Sequence, residues 1–223
     1  MCSAFTKWAN AQGWVVYPET DGWDMLLVNR VDGSQIGVQA KLRFNPTLLR
    51  QVIPGSGIWG DVECGPDYRA ILLPKYDRDV DDAMKTLGIV SFSAISDFFR
   101  PKIDSIDYFY FGQWPIDKRL PLPQYVPDVV AGASGPIQLT KWKIGALRIT
   151  AILDVRGYVT REDFRKHGVD FRRWPASDWL KLDKDGRYIR GERLKVDTQH
   201  PIVFAEIKRE VEQSMAESEA NNV

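Results

Sequence analysis

Three side chains with the chemistry to act on a phosphodiester lie within eighteen positions of one another near the N-terminus. Asp24 falls in the apolar stretch Gly22-Trp23-Asp24-Met25-Leu26-Leu27-Val28, and Gln39 and Lys41 sit two apart in Gly37-Val38-Gln39-Ala40-Lys41-Leu42. Between the stretches runs the polar segment Asn29-Arg30-Val31-Asp32-Gly33-Ser34, in which Asp-Gly is a hairpin signal. Residues i and i+2 of a strand face the same side. Pairing the two strands therefore brings a carboxylate, an amide oxygen and an ammonium to one edge of a sheet. Such a set can hold a divalent cation and activate a water for attack on phosphorus.

The surrounding sequence supplies elements to position these groups. Ser3 to Gln12 carries Phe5, Trp8 and Ala9 on one helical face, with Gly13 as its stop. Trp14 to Tyr17 reads as a strand, ended by Pro18. After the hairpin, Asn45-Pro46 is an N-cap followed by a first-turn proline, predicting a helix over Thr47 to Ile53 that Pro54-Gly55-Ser56-Gly57 breaks. Tyr68 to Leu73 reads as a buried strand, Asp79 to Leu87 as a helix closed by Gly88, and Ile89 to Ile95 as a further strand. This order predicts an α/β sandwich around a central mixed sheet.

Asp24 followed by Gln39-Ala40-Lys41 resembles the D…(E/Q)xK signature of the PD-(D/E)XK, or restriction-endonuclease-like, superfamily, and Val38-Gln39-Ala40-Lys41 is most similar to its Mrr-type branch, where glutamine replaces glutamate. The likeness covers residues 3–95: a helix and a strand before the motif, a helix after it, then strand, helix and strand. It implies a restriction-endonuclease-like central mixed sheet flanked by helices, and hydrolysis of phosphodiester bonds with Mg²⁺ or Mn²⁺. On that likeness Asp24 is the main ligand for a hard cation, which prefers oxygen. Gln39 offers a neutral oxygen, joined by the backbone carbonyl of Ala40. Lys41 orients or helps deprotonate the attacking water, or stabilises charge on the phosphate. Glu19, or alternatively Asp21, adds a carboxylate, and Gln51 lies on the following helix to meet phosphate or the site edge. Glutamine leaves the site one formal negative charge short, so cation affinity depends on whether Glu19 compensates.

Residues 119–140 hold Pro121, Pro123, Pro127 and Pro136 among glycines and serines, and read as a linker between domains at 1–118 and 141–217. Beyond it, Ile144 to Val155 is helical, Thr160 caps a short helix to His167, and Asp170 to Asp178 is a third helical segment interrupted by Pro175. Two short strands, Trp179 to Leu182 and Tyr188 to Arg190, flank the turn Asp183-Lys184-Asp185-Gly186-Arg187, and a last helix starts at Pro201 and runs to about Glu217. Three helices and a hairpin are the layout of a small winged helix-turn-helix domain. Net charge over the whole chain is zero, yet residues 137–197 carry 15 Lys/Arg against 9 Asp/Glu. A basic segment suits a polyanion. Its candidate DNA contacts are Arg161, Arg165 and Lys166 on the second helix, Arg172 and Arg173 on the third, and Lys184, Arg187 and Arg190 on the wing, where phosphate contacts would supply most non-specific affinity.

Other classes find no support. No apolar run approaches the length of a membrane span and the N-terminus lacks a signal-peptide layout, so the expected location is the cytoplasm. Cys2 and Cys64 read as reduced thiols, and His167 and His200 lack the partners of a zinc site. No P-loop, dinucleotide glycine pattern or serine elbow occurs. Trp59, Trp114, Trp142, Trp174 and Trp179 read as core or interface residues. The leading expectation is a metal-dependent DNA endonuclease, stand-alone or phage-encoded, with homodimers plausible because many enzymes of that fold cut both strands as dimers. The alternative is an inactive nuclease scaffold acting as a DNA-binding regulator, or as a phage anti-defence factor that contacts a host defence protein.

Overall fold

In the computed structural model the described residues are 1–53, 62–95, 98–101, 103, 116–129, 131 and 139–220. The chain divides into two compact units, Met1–Gly135 and Pro136–Val223. The first opens with α1 (Cys2–Ala11), β1 (Trp14–Thr20), β2 (Trp23–Asn29) and β3 (Gln35–Ala40). It continues through α2 (Pro46–Val52), β4 (Val62–Gly65), β5 (Tyr68–Leu73), α3 (Arg78–Thr86), β6 (Val90–Ile95), β7 (Phe98–Arg100) and β8 (Ile116–Arg119).

The main sheet is mixed and six-stranded, in the order β1-β2-β3-β5-β6-β7. β2 lies between β1 and β3 and runs antiparallel to both, β5 and β6 run parallel to β3, and β7 turns back against β6. All six residues of β5 are buried, as befits a strand covered on both faces. α1 packs Phe5 and Ala9 onto the face bearing Met25, Val38, Leu72 and Phe92. Leu48 and Val52 of α2 and Met84 of α3 pack onto the opposite face, on Leu26, Ile71 and Leu73. The fold is thus α/β, with helices on both sides of a mixed sheet.

Local signals explain much of this. The Asn45 side chain accepts the Leu48 N–H at 2.9 Å and Pro46 occupies the first turn of α2. Gly33 adopts φ 70° in the β2–β3 turn, where Asp32 accepts the Ser34 N–H. Two expectations need correction. Pro18 does not end its strand: β1 is an edge strand with ladder bonds on one side only, and it runs on to Thr20 with Pro18 opposite Met25. Lys41 lies one residue past β3, although its N–H still donates to the Leu72 carbonyl at 3.1 Å. β4, β7 and β8 had no sequence signal, being three or four residues long and fixed by their partners. The helix-breaking Pro54-Gly57 stretch, Trp59 and Trp114 lie outside the described residues.

The Pro/Gly-rich stretch begins as part of the first unit rather than as spacer. Gln35 donates from Nε2 to the Leu120 carbonyl at 2.9 Å and accepts the Leu120 N–H at 3.0 Å. Asp67 accepts both the Gln35 N–H, at 2.7 Å, and Nε of Arg119, at 2.8 Å. Leu120 and Tyr125 are buried.

The second unit comprises α4 (Lys141–Arg156), α5 (Arg161–Lys166), α6 (Arg173–Ala176), β9 (Leu180–Leu182), β10 (Tyr188–Arg190), a 3-10 turn (Val196–Thr198) and α7 (Pro201–Ala220). Thr160 and Asp163 form a reciprocal capping box on α5. β9 and β10 pair as an antiparallel hairpin, and Val159 bridges to Tyr188. Gly145 lets α4 approach the turn after α5, since a Cβ there would lie 2.7 Å from the His167 carbonyl oxygen. Phe164 and Trp174, with ring centres 4.9 Å apart, anchor the core. Trp142, expected in a core or interface, is 46% exposed. The third helical segment shrinks to one turn: Pro175 offers no N–H for an i−4 bond, and Asp178 turns left-handed at φ 57°. Among the described residues no helix is long and apolar enough to cross a membrane.

Candidate functional site

β2 and β3 pair from Val28 opposite Gln35 to Met25 opposite Val38. At the next rung the ladder gives way to a side chain: Oδ2 of Asp24 accepts the Ala40 N–H at 2.7 Å. Beside this bond, the Trp23 indole lies over the β3 backbone at Gly37. A Cβ on Gly37 would come within 2.5 Å of that ring, so the glycine is what admits it. The end of β1 and the turn after it are tight, with Glu19 at φ 48°, Asp21 at φ 52° and Gly22 at φ 82°. Left-handed geometry costs a non-glycine residue about 1–2 kcal/mol. Two acidic residues therefore carry backbone strain next to Asp24.

Gln39 is held inside rather than displayed. It is 3% exposed, its Nε2 donates to the Gly22 carbonyl at 2.7 Å, and its buried Oε1 has no hydrogen-bond partner among the described residues. Lys41 is half-buried, and its side chain makes no ion pair among the described residues. Glu19 is half-buried and Asp21 exposed. Burial raises the pKa of the Cys2 thiol, and the charges of Asp24 and Glu19 add to that rise while the N-terminal amine opposes it. Both carboxylates thus act on one point. Gln51 is exposed on α2.

The structure therefore brings Asp24, Gln39, Ala40 and Lys41 to one end of the β2–β3 pair, with Glu19 at the end of β1. Among the described residues no group of three or more His, Cys, Asp or Glu side chains comes together. Any cation here would rest on Asp24, on the carboxamide oxygen of Gln39 and on backbone oxygen. The unpaired Oε1 of Gln39 fits that donor set, since a buried oxygen without a partner is uncommon.

In the second unit, Arg165, Lys166, Arg173 and Lys184 are exposed and make no ion pair among the described residues. Arg172 is exposed, 3.9 Å from Asp170. Arg161 and Arg187 lie over the rings of Phe171 and Tyr158, at 5.2 and 5.0 Å. Arg190 behaves differently from the wing contact expected of it. Its guanidinium bonds Asp154 and Asp197, each at 2.8 Å, and the Leu194 carbonyl, which ties β10 to α4 and the 3-10 turn. Burial, together with the charges of Arg148 and Lys166, lowers the pKa of His167.

Sequence reasoning missed the Trp23–Gly37 contact. An aromatic residue near a strand end and a glycine on the neighbouring strand form a recognisable cross-strand pair, and that signal was available. No protein-family model, curated protein or solved structure matches the chain.

Proposed function

We propose that the chain is a divalent-metal-dependent DNA endonuclease, with a restriction-endonuclease-like first unit and a winged-helix-like second unit that tethers DNA. The observation that carries this reading is the bond from Asp24 to the Ala40 N–H. It sets the carboxylate against the one residue that separates Gln39 from Lys41. The order α1-β1-β2-β3-α2, followed by β5, α3 and β6, supports the same reading.

Asp24, Oε1 of Gln39 and the Ala40 carbonyl would hold Mg²⁺ or Mn²⁺. When bound, the ion supplies charge neutralisation at phosphorus and a more acidic water. The chain's own groups do the rest. The amide of Gln39, fixed by the Gly22 carbonyl, holds its oxygen in one orientation. The Lys41 ammonium, uncommitted among the described residues, is available to orient the attacking water or to offset charge on the phosphate. Glu19, at the end of β1 just before β2, would supply the negative charge that glutamine withholds.

For the second unit, the single-residue bridge from Val159 to Tyr188 ties the segment before α5 to the β9–β10 hairpin, which supports the winged-helix reading. α6 is too short for deep groove insertion, so the exposed Arg165, Lys166, Arg173 and Lys184 would act chiefly on phosphates. The tether is then largely indifferent to sequence.

One observation favours a second reading. Gln39 is nearly sealed from solvent, as on an inert scaffold that acts through binding to DNA or to a host defence protein. Cleavage of plasmid, single-stranded and modified DNA in Mg²⁺ or Mn²⁺ separates the two. The endonuclease nicks at least one substrate and Lys41→Ala abolishes it. A wild type that cuts none of them establishes the scaffold.

A further inference from the structure

A second polar feature of the first unit lies between α3 and the sheet. β6 alternates Val90 and Phe92 on the α1 face with Ser91, Ser93 and Ile95 on the face that α3 covers. Hydroxyls therefore stand where a strand beneath a helix ordinarily presents branched apolar side chains. α3 does not close onto them. A cavity of about 310 Å³ remains, lined by Asp81 and Lys85 of α3, the three β6 residues, Tyr76, and Arg100 with Pro101. That volume is at the lower end of ligand pockets, which begin at roughly 300 Å³.

Two observations point to an occupant. Ser93 is 2% exposed and its Oγ has no hydrogen-bond partner among the described residues, although it lines the cavity. Buried hydroxyls in folded proteins are almost always paired. Arg100 is exposed and makes no ion pair among the described residues. Lys85 is paired with Asp81 at 2.7 Å, and the Tyr76 hydroxyl donates to the same carboxylate at 3.5 Å. Among the described residues, the wall thus carries one uncompensated positive charge and a surplus of donors, because its one carboxylate, Asp81, is already engaged.

We propose that this cavity binds a small organic phosphate of nucleoside-monophosphate size. A planar guanidinium grips a phosphate through two parallel bonds. Ser91 and Ser93 supply hydroxyl donors from the strand below. The Tyr76 ring, Ile95 and Pro101 offer an apolar wall to the other end of the ligand. None of these residues belongs to the Asp24 site, so the proposal stands apart from the endonuclease reading.

Titration of the full chain with AMP, adenosine and inorganic phosphate, followed by calorimetry and thermal melting, tests it. AMP is expected to bind saturably and raise the melting temperature, with adenosine and phosphate alone at least about tenfold weaker. Arg100→Gln and Ser93→Ala should each weaken AMP about tenfold while folding normally. Ser93→Ala also separates the alternatives through stability. A hydroxyl that is merely unsatisfied makes the variant more stable than the wild type with no response to AMP in either protein, and that result overturns the proposal. Equal AMP affinity in the wild type and Arg100→Gln overturns it as well.

Discussion

Oδ2 of Asp24 stands 2.7 Å from the Ala40 nitrogen, so a candidate metal ligand also completes the backbone bonding of β3. The two roles separate by substitution. Asp24→Ala removes the acceptor and should cost about 1–2 kcal/mol, read by chemical denaturation. Asp24→Asn retains an acceptor oxygen and should stay within about 0.5 kcal/mol of wild type. Equal losses for both would show that the charge, not the acceptor, holds β3.

Gln39→Glu probes the missing charge. A glutamate cannot donate to the Gly22 carbonyl, and it would place a carboxylate where the glutamine is 3% exposed. Without metal the variant should lose about 2–3 kcal/mol. Mg²⁺ should restore much of this by binding only the folded state, and should raise the variant's melting temperature more than the wild type's. Melting curves of both proteins that ignore Mg²⁺ and EDTA alike would remove Gln39 from any cation site.

Asp67 governs the latch at the other end of β3. Its carboxylate receives the Gln35 N–H and the Arg119 guanidinium. Asp67→Ala should therefore cost about 2–3 kcal/mol, with Asp67→Asn milder because one acceptor survives. Urea titration followed by tryptophan fluorescence reads the difference. An Asp67→Ala midpoint equal to the wild type's would mean that the latch contributes nothing.

The hairpin through Asp32-Gly33, the Asn45-Pro46 cap of α2, the buried β5 and the Thr160 capping box were legible because each is written in adjacent or periodic residues. The remainder depended on distant partners. Nothing near Pro18 announces that its strand lies at a sheet edge. Nothing near Gln39 announces that Gly22, 17 residues earlier, will take its amide. Arg190 looked like a wing contact because Asp154, 36 residues away, carries no local sign of pairing with it. The motif therefore marked neighbouring positions on two paired strands, but gave no sign that Gln39 is closed in.

The same distinction sorts the basic residues. Replacing Arg165, Lys166, Arg173 and Lys184 together with alanine should leave stability within about 0.5 kcal/mol. It should flatten the slope of log affinity for DNA against log salt by about 0.9 per lost phosphate contact. Arg190→Ala should lower stability by about 1 kcal/mol and leave the slope unchanged. Fluorescence anisotropy across a salt series reads both, and a fourfold variant with the wild-type slope would place the DNA surface elsewhere.

The most direct measurement is the nicking rate of supercoiled plasmid in Mg²⁺ by the wild type and by Asp24→Asn, with matched melting temperatures establishing that both are folded. The account predicts metal-dependent nicking by the wild type and a loss of at least about 10²-fold in the variant. Nicking by Asp24→Asn at the wild-type rate would contradict it.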